Sequence, residues 1–483
     1  MKQAKPPWQG RLKKPKKSVN EYMSNVEEDK ELILVDILGS IAHAKMLSKQ
    51  GILTEEEGRE VVNALKEIYE HAIKGSFYLR PELEDVHMNI EHYLIVKLGE
   101  TGKKLHTARS RNDQVNLDMR LYLRESYFEI GEKAFVLIDA LVKKARKEKN
   151  RVIPAYTHTR RAQPITAGYY LLAQAYLFNE IFQRIHPQMK FANKNPLGAC
   201  AISGTSWEID KEMTAEMLGF DSIMENSLYA ISSRGDQELK FLFLLSIIGE
   251  KLSKLANDLI LYSSEDFGIL ELADEHCTGS SVMPQKKNPD VLELMRSRMS
   301  LVISNLNGCF MILKNLPTGH NADTQEIKKL VFSSKRMVLE ALEMMIDVIN
   351  RCEFKEKEIE ELICATEVAD FISKSGIPFR TAHNAVGACA LKSFKKKMSF
   401  KQAVMEDSAI QKILRKKYGE NYEKALKELE RIFDLKYCIS LKETAPEAVE
   451  KSSDGLIIQA KETLKKIKEE EKKWERKKKE LLK

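Results

Sequence analysis

Residues 278–288 combine side chains and backbone groups suited to binding a negatively charged substrate. They read Thr-Gly-Ser-Ser-Val-Met-Pro-Gln-Lys-Lys-Asn, with Ser280 as the first serine and Lys286 as the first lysine. The glycine and the two serines leave backbone N–H groups open, and Lys286 can reach back toward Ser280 as a cation. A carboxylate needs such donors when further negative charge develops on it during a reaction. The alternative interpretation of these residues is an ordinary polar surface loop.

The residues after this segment predict the beginning of a helix. Asn288 can act as its N-cap, Pro289 suits the first helical position, and Asp290 suits the positive end of the helix dipole. Apolar residues of helical spacing follow in residues 291–295. Helix N-termini attract anions because their first N–H groups lack partners within the helix. The sequence therefore indicates an anion site where the loop meets the helix.

Long stretches of the chain show the apolar spacing of helices. One stripe consists of Tyr127, Ile130, Ala134, Leu137, Ile138 and Leu141. Similar stripes lie in residues 165–185, 237–263, 290–314 and 325–350, and residues 461–483 have the lysine and glutamate pattern of a charged helix. We find no strand pattern longer than a few residues. Long helices this apolar must bury more than one face, which favours a helix bundle completed by other subunits.

Composition narrows the class of protein further. Hydrophobic residues make up 43% and charged residues 31% of the 483 residues, as in folded globular chains, and no apolar run could span a bilayer. The basic N-terminus lacks the apolar segment of a signal peptide. Seven scattered cysteines without a Cys-x-x-Cys pair predict reduced thiols and a cytoplasmic protein. The basic residues 11–17 favour a solvated arm over a nucleic-acid contact.

Three further segments carry dense polar motifs. Residues 84–91 read Glu-Asp-Val-His-Met-Asn-Ile-Glu, residues 106–115 read His-Thr-Ala-Arg-Ser-Arg-Asn-Asp-Gln-Val, and residues 156–164 contain Tyr-Thr-His and then Arg-Ala-Gln-Pro. With residues 279–289, these segments resemble the ordered motifs of the fumarase/aspartase superfamily. The Gln-Lys-Lys-Asn-Pro-Asp sequence of residues 285–290 resembles its argininosuccinate lyase branch. Weaker likenesses run from residues 8–11 to residues 444–447, so the resemblance covers nearly the whole chain.

The resemblance implies an all-α, three-domain fold of the fumarase/aspartase type. The domains would be an N-terminal helical domain at residues 1–105, a central long-helix bundle at 106–353 and a C-terminal helical domain with a charged tail helix at 354–483. Composition shifts near residues 102–104 and 353–355 agree with these boundaries. The resemblance also implies a homotetramer whose long helices complete the central bundle and whose active sites are shared between subunits. Neither a membrane nor a nucleic acid is expected as a partner.

The reaction that the family implies is elimination of fumarate from an N-substituted aspartate. Removal of the β-proton places two negative charges on the neighbouring carboxylate, so electrostatic stabilisation should be the largest catalytic contribution. The resemblance implies that Ser280 is the general base, with Ser281 as the less favoured alternative. Lys286 and Asn288 would hold the reacting carboxylate, and the cation of Lys286 would also stabilise the Ser280 oxyanion that has to act as the base.

The resemblance also implies a proton donor for the leaving nitrogen. His158 would act in this proton delivery, and Glu293 would be the acidic partner that orients the imidazole and makes it more basic. Protein groups suffice for this chemistry, so we expect no cofactor. We expect no metal either, because His87, His92 and His106 lack the spacing of metal ligands.

The substrate-binding residues implied by the resemblance form two groups. The fumarate half would be bound by Ser110, Arg111, Asn112 and Thr157, where the arginine fork suits a carboxylate. The amine half would be bound by Asn25, Arg234, His320, Gln325 and Lys328. Departures from the family pattern concentrate in this second half. His320 stands where the motif usually has tyrosine, Asn25 where it has serine, and Ser233 where it has aspartate, while Thr159 and Arg160 interrupt the histidine motif.

These departures bear on the identity of the amine. Argininosuccinate, which would give arginine, is the leading substrate, and the runner-up is another N-substituted aspartate that gives fumarate and a different amine. A non-catalytic structural relative is a third hypothesis of another class. The intact Ser280, Lys286 and His158 argue against it.

Overall fold

A computed structural model describes residues 16–483 of the chain. The likeness at residues 8–11 lies outside the described residues, as does most of the basic segment 11–17. Helices account for most of the described residues, which confirms the predicted all-α class. Within this part of the chain, no helix combines the length and the apolar character needed to cross a bilayer.

The N-terminal helices pack around one strongly apolar helix. They are Lys17–Met23 (α1), Val26–Asp29 (α2), Ile33–Lys49 (α3), Glu55–Ile73 (α4), Val86–Leu98 (α5) and Glu100–Lys103 (α6). The apolar helix α3 packs along α4, and most of its residues from Val35 to Leu47 are buried. Asp85 begins α5 as its N-cap, because its carboxylate accepts the N–H of Met88 at 2.7 Å.

Long helices form the centre of the molecule. The central helices are Arg111–Lys147 (α7), Ala167–Phe182 (α8), Ile185–Ala192 (α9), Lys211–Met217 (α10), Ser227–Ser232 (α11), Asp236–Ser263 (α12), Asp290–Leu313 (α13) and Ile327–Arg351 (α14). α7 packs along α8 and α14, and α12 packs along α13. All six residues of the predicted stripe in α7 are buried. The predicted helical windows are therefore confirmed as the long elements of a bundle.

The C-terminal part contains short helices followed by one long helix. They are Ala365–Lys374 (α15), Phe379–Lys396 (α16), Phe400–Met405 (α17), Ser408–Tyr418 (α18), Tyr422–Arg431 (α19), Leu435–Ser440 (α20) and Pro446–Leu482 (α21). α21 contains the predicted charged tail and packs back along α7 and α8. Its Trp474 is buried and donates its ring N–H to Glu125 at 2.7 Å. The tail is thus an integral part of the helical body.

Two large hydrophobic cores organise the chain. The main core joins buried residues of α3, α4, α7, α8, α12, α13, α14 and α21. A second core contains buried residues between Ile363 and Cys438, contributed mainly by the helices α15–α20. The separate second core agrees with a C-terminal domain. The domain boundaries at residues 105/106 and 353/354 stay predictions.

Strands also occur, although the sequence showed no strand pattern longer than a few residues. Val152–Thr157 (β1) and Arg160–Thr166 (β2) form an antiparallel hairpin. The shorter strands are Lys194–Asn195 (β3), Ser222–Ile223 (β4), Leu270–Glu271 (β5), Thr278–Gly279 (β6), Lys287–Asn288 (β7) and Glu353–Phe354 (β8). They pair as β3 with β4, β5 with β8 and β6 with β7. Backbone pairing maintains the β1–β2 hairpin where the sequence lacks the apolar alternation of a typical strand.

The predicted N-cap of α13 is wrong. The helix begins at Asp290, and Pro289 occupies the N-cap position without a side-chain hydrogen bond. Asn288 instead lies in β7, opposite Thr278 of β6. Pairing with β6 keeps Asn288 in an extended strand, so the helix starts one residue later than the sequence predicts.

Candidate active site

The segment of residues 278–288 forms an exposed turn closed by a short pair of strands. Thr278 pairs with Asn288 and Gly279 with Lys287, which leaves residues 280–286 as the turn. The Ser280 hydroxyl oxygen accepts the N–H of Val282 at 3.2 Å and the N–H of Met283 at 3.1 Å. Two N–H donors aimed at this oxygen favour negative charge on it, which is the property that a serine base requires.

The two lysines of this turn have different environments. Lys287 forms ion pairs with Asp274 at 2.7 Å and Glu271 at 2.9 Å, and these bonds raise its pKa. It also donates to the carbonyl oxygen of Leu272 at 2.5 Å. Lys286 is exposed and has no side-chain partner among residues 16–483. Lys287 thus anchors the base of the turn, while the ammonium group of Lys286 is free to meet a ligand.

His158 lies at the tip of the β1–β2 hairpin. Thr157 and Arg160 are paired, so His158 and Thr159 form a two-residue turn, with φ of 52° and 58° respectively. These left-handed conformations are costly for residues with a Cβ, and two-residue hairpin turns normally use glycine or asparagine. Such backbone strain is typical of functional positions. The fold therefore presents the imidazole of His158 to solvent on a strained turn.

Ser110, Arg111 and Asn112 form the beginning of α7. Ser110 is the N-cap: its N–H donates to Asp113 at 2.9 Å, and its hydroxyl accepts the N–H of Asn112 at 3.3 Å. Arg111 lies at the first helical position, with its Nε 2.9 Å from Asp85 Oδ2. The beginning of α7 thus places all three predicted residues at a helix N-terminus, where anions are stabilised.

Asp85 determines the orientation of Arg111 and was not predicted as a site residue. Burial raises its pKa, but the charges of Arg111 and His87 outweigh this effect and hold the pKa below its usual value. Asp85 is therefore ionised at neutral pH. The Nη1 of Arg111 donates to Gln114 at 2.7 Å, so Arg111 is held on two sides. Arg111 also lines a narrow cleft.

This cleft brings together residues that are far apart in the sequence. Among the predicted binding residues it is lined by Asn25, Arg111, Arg234, His320, Gln325 and Lys328. Asn25 donates its side-chain N–H to Gln325, and Lys328 forms a buried ion pair with Asp29. Glu84 and Asp85 add acidic groups to the wall. The amine-half residues thus share one cavity with Arg111 of the fumarate half.

Arg234 and His320 form a hydrogen-bonded pair in the wall of this cleft. Arg234 Nη1 lies 3.2 Å from His320 Nδ1, and burial lowers the pKa of Arg234. Burial and the charge of Arg234 lower the pKa of His320 to about 4. His320 is therefore neutral at pH 7, accepts at Nδ1 and keeps its Nε2–H as a donor. Among the described residues, Arg234 has no carboxylate within ion-pair distance, although its side chain is only 6% exposed.

The other predicted residues lie on separate elements. Ser280, Lys286 and Asn288 belong to the exposed turn and its strands, Thr157 and His158 to the hairpin, and Glu293 to the exposed first part of α13. Within the described part of one chain, no hydrogen bond or ion pair connects these groups to one another or to the cleft. In particular, His158 and Glu293 are not paired within this single chain.

One cluster of buried groups was not recognised from the sequence. Asp36, His87 and Asp118 bring ligand-type atoms within 4.8 Å of one another, although their sequence spacing shows no metal motif. His87 Nδ1 already lies 2.9 Å from Asp36 and 3.5 Å from Asp118. Burial and the adjacent Asp36 raise the pKa of Asp118. Among the described residues, His87 Nδ1 is thus occupied by Asp36, whereas His87 Nε2 and both carboxylate oxygens of Asp118 are buried without a hydrogen-bond partner. The cluster adjoins the cleft, because His87 also lines it.

Comparison with known proteins identifies the class. Residues 10–304 match a family described as Lyase, and residues 362–440 match one described as Argininosuccinate lyase C-terminal. The chain is thus a carbon–nitrogen lyase of the fumarase/aspartase superfamily. It is 39% identical to argininosuccinate lyase from Aquifex aeolicus over 89% of this chain and 92% of the relative, and 42% identical to that from Bacillus subtilis over 79% and 84%. The chain belongs to the argininosuccinate lyase family.

Solved structures confirm the predicted fold. A crystal structure of EDDS lyase in complex with formate superimposes with a TM-score of 0.78 at 24% identity, covering 96% of this chain and 95% of that chain. The class II fumarase of Schistosoma mansoni gives a TM-score of 0.71 at 16% identity, covering 86% and 95%. At these identities the likeness concerns the fold alone.

Proposed function

We propose that this protein is an argininosuccinate lyase that eliminates fumarate from argininosuccinate and releases arginine. The observation that carries the proposal is 39% identity to a relative of that name over nearly the full length of both chains. The match of residues 362–440 to the argininosuccinate lyase C-terminal family supports the same activity. The geometry of the candidate site agrees with the chemistry of this reaction.

Ser280 is the proposed general base. Its oxygen already accepts two backbone N–H groups, which stabilise the alkoxide that must form before a serine can take a proton from carbon. The free ammonium group of Lys286 adds a positive charge on the same turn. Lys286 and Asn288 are proposed to stabilise the doubly charged carboxylate intermediate, in which electrostatics must lower the barrier most.

His158 is proposed to deliver the proton that the leaving nitrogen requires. Its position at an exposed, strained tip suits contact with a site on another subunit, since no described group of its own chain binds the imidazole. Glu293, exposed in the first part of α13, is the proposed acidic partner. In this proposal the pair forms between subunits, where the carboxylate orients the ring and makes it more basic.

The fumarate half of the substrate is proposed to bind at the beginning of α7. Arg111 offers its remaining guanidinium donors to a carboxylate, with Ser110 and Asn112 beside it at the helix N-terminus. Thr157 would contribute from the hairpin of another subunit. Asp85 fixes the guanidinium before the substrate arrives, which reduces the entropy lost on binding.

The arginine half is proposed to bind in the cleft of Asn25, Arg234, His320, Gln325 and Lys328. Arg234 is buried and forms no ion pair with the carboxylates of the described residues, although Glu238 is near enough to act on its charge, so the α-carboxylate of the arginine moiety would complete its hydrogen bonding. His320 would donate its Nε2–H in place of the usual phenol. Acidic Glu84 lines the same cleft and is a suitable neighbour for the cationic end of the substrate.

The proposed assembly is a homotetramer. Large apolar side chains on α13 are exposed in the single chain: Leu294 at 55%, Leu301 at 57%, Phe310 at 50% and Met311 at 64%. Exposed apolar side chains on more than one face of a long central helix are costly in water and suit packing against copies of the same helix. Association would also bring the turn, the hairpin and the cleft of different chains together. We further propose a cytoplasmic location, in agreement with seven free cysteines.

Product identification tests the function. Purified protein should convert argininosuccinate to fumarate, detected by its ultraviolet absorbance, and to arginine, detected by mass spectrometry. Light scattering should give the mass of four chains of 55.4 kDa. Fumarate from other N-substituted aspartates, but none from argininosuccinate, would favour a different amine product. No fumarate from any adduct would favour a non-catalytic role.

A further inference from the structure

The hairpin that carries His158 depends on support from outside itself. Residues 157–161 at its tip are exposed, and an isolated two-stranded hairpin is only marginally stable in water. On the β1 side, the ring of Tyr156 packs 4.9 Å from that of Phe267 and 6.1 Å from that of Tyr262. These contacts fix one strand to α12 and to the turn that follows it. The second strand, β2, pairs with β1 and has a further contact of its own.

The anchor of β2 comes from the C-terminal part of the chain. Gln163 Nε2 donates to Glu367 Oε1 at 3.0 Å, and the ammonium group of Lys442 pairs with the same carboxylate. Glu367 is only 6% exposed and lies in the first turn of α15, where the helix dipole favours negative charge. A weaker contact of 3.8 Å joins Arg161 to Glu360 nearer the tip. Glu367 is therefore the buried centre of the contact between hairpin and C-terminal domain.

This contact joins two separately cored parts of the molecule. Glu367 follows Ile363 and Cys364 of the second core, whereas Ile165 of β2 packs against the main core. A cleft of about 460 Å³, lined partly by Gln163 and Lys442, opens beside the contact. Apolar packing is therefore incomplete at this point. The bonds to Glu367 are the buried polar part of the contact between β2 and the C-terminal domain, which also includes residues 361–364 and α20.

We propose that Glu367 is a positioning residue for His158, acting through Gln163 at the base of the hairpin. The inference rests on the proposed lyase function and extends it to the control of proton delivery by the C-terminal domain. Gln163 is five residues from His158, so the two residues lie about 16 Å apart along the extended strand. A tilt of about 4° at Gln163 would move the imidazole by about 1 Å, and misplacement of this size can cost about 100-fold in rate.

Variants of the two partners test the proposal by steady-state kinetics. Glu367→Ala and Gln163→Ala should each lower kcat about 10- to 100-fold and change KM for argininosuccinate by less than about threefold. The double variant should be no slower than the slower single variant, because both changes break one contact. Glu367→Gln, which keeps an oxygen acceptor and is the safer variant for folding, should fall between wild type and Glu367→Ala. The matched control is Glu430→Gln, which breaks the Lys401 ion pair of the same domain and should leave kcat unchanged.

Hydrogen–deuterium exchange provides a readout independent of the substrate. In Glu367→Ala and Glu367→Gln, the amides of residues 160–163 and 165 should exchange faster than in wild type, while those of α12 stay unchanged. If these variants exchanged the amides of residues 160–163 and 165 at the wild-type rate, the inference would be overturned whatever their activity. It would also be overturned if the loss of kcat in the double variant equalled the product of the losses in the two single variants. If wild-type protein made no fumarate from argininosuccinate, the proposed function would fail, and the exchange measurement would still decide whether Glu367 holds the hairpin.

Discussion

Replacing Ser280 by alanine separates the chemistry of the exposed turn from its folding. In the structure, the Ser280 oxygen accepts the N–H groups of Val282 and Met283, at 3.2 and 3.1 Å. Alanine removes the proposed base and both bonds. The turn remains closed by the pairing of Thr278 with Asn288 and of Gly279 with Lys287. We therefore expect a folded protein that binds its substrate and fails in the proton-abstraction step.

The two effects differ greatly in size. Loss of a general base lowers rates about 10²- to 10⁴-fold, which corresponds to about 3–5 kcal/mol in activation free energy. The two lost hydrogen bonds lie at an exposed turn, where water can replace the acceptor, so each contributes about 0.5 kcal/mol to stability. The free energy of unfolding should therefore change by about 1 kcal/mol or less, well below the effect on kcat.

Initial rates of fumarate formation and thermal unfolding measure the two effects on the same preparations. Ser281→Ala is the matched control and should keep wild-type kcat, because no described hydrogen bond uses its hydroxyl. Ser280→Thr keeps a hydroxyl that can accept the same N–H groups and should retain more activity than Ser280→Ala. Wild-type kcat in Ser280→Ala would refute the assignment of the base, and a loss confined to Ser281→Ala would transfer the role to that neighbour.

Three further predictions concern the cleft and the helical body. Replacing His320 by phenylalanine removes a hydrogen-bond donor from the cleft and the acceptor of Arg234. Initial rates should therefore show a KM for argininosuccinate raised about tenfold, with little change in kcat. An unchanged KM would exclude His320 from substrate binding. Burial and the charge of Arg109 lower the pKa of His43 in the folded protein from 6.5 to about 3. Between these two pH values the imidazole is protonated only in the unfolded state. The free energy of unfolding therefore falls as the pH drops below about 6.5. At about pH 5 this costs about 2 kcal/mol, and His43→Gln should flatten the pH dependence of the melting temperature. Gly168→Ala would place a Cβ 2.4 Å from the carbonyl oxygen of Ala145 and should lower the melting temperature by several degrees, whereas Gly455→Ala meets no atom within 4 Å and should not.

The helical framework could be predicted because its signals are local. The apolar spacing within α7, α12, α13 and α14 repeats over many turns. The β1–β2 hairpin could not be predicted in the same way. Arg160 to Gln163 carry no apolar alternation, and the turn at His158 and Thr159 lacks the usual glycine. Tertiary support from Glu367 and the Tyr156 cluster determines the conformation there.

Motifs predicted candidate residues for the site, but they did not predict how these residues are arranged. Asn25, Arg111, Arg234 and Gln325 meet in one cleft because the fold brings the beginnings of α2, α7, α12 and α14 together. Asp85, which orients Arg111, lies in a recognised motif, yet only the folded structure gives it this role. A single sequence contains no distances between such segments. The pairing of His158 with Glu293 depends further on the arrangement of subunits, and stays a prediction.

The exposed side chain of Lys286 provides a way to measure whether a ligand occupies the candidate site. It is exposed on a turn between two paired strands, which is the kind of site that trypsin cleaves in a native protein. A cut after Lys286 would leave Lys287 anchored by Glu271 and Asp274, so the two fragments would stay associated. A ligand that covers the turn should slow the nick. The rate of cleavage would then reveal which anions and adducts enter the site, even in variants that cannot turn them over.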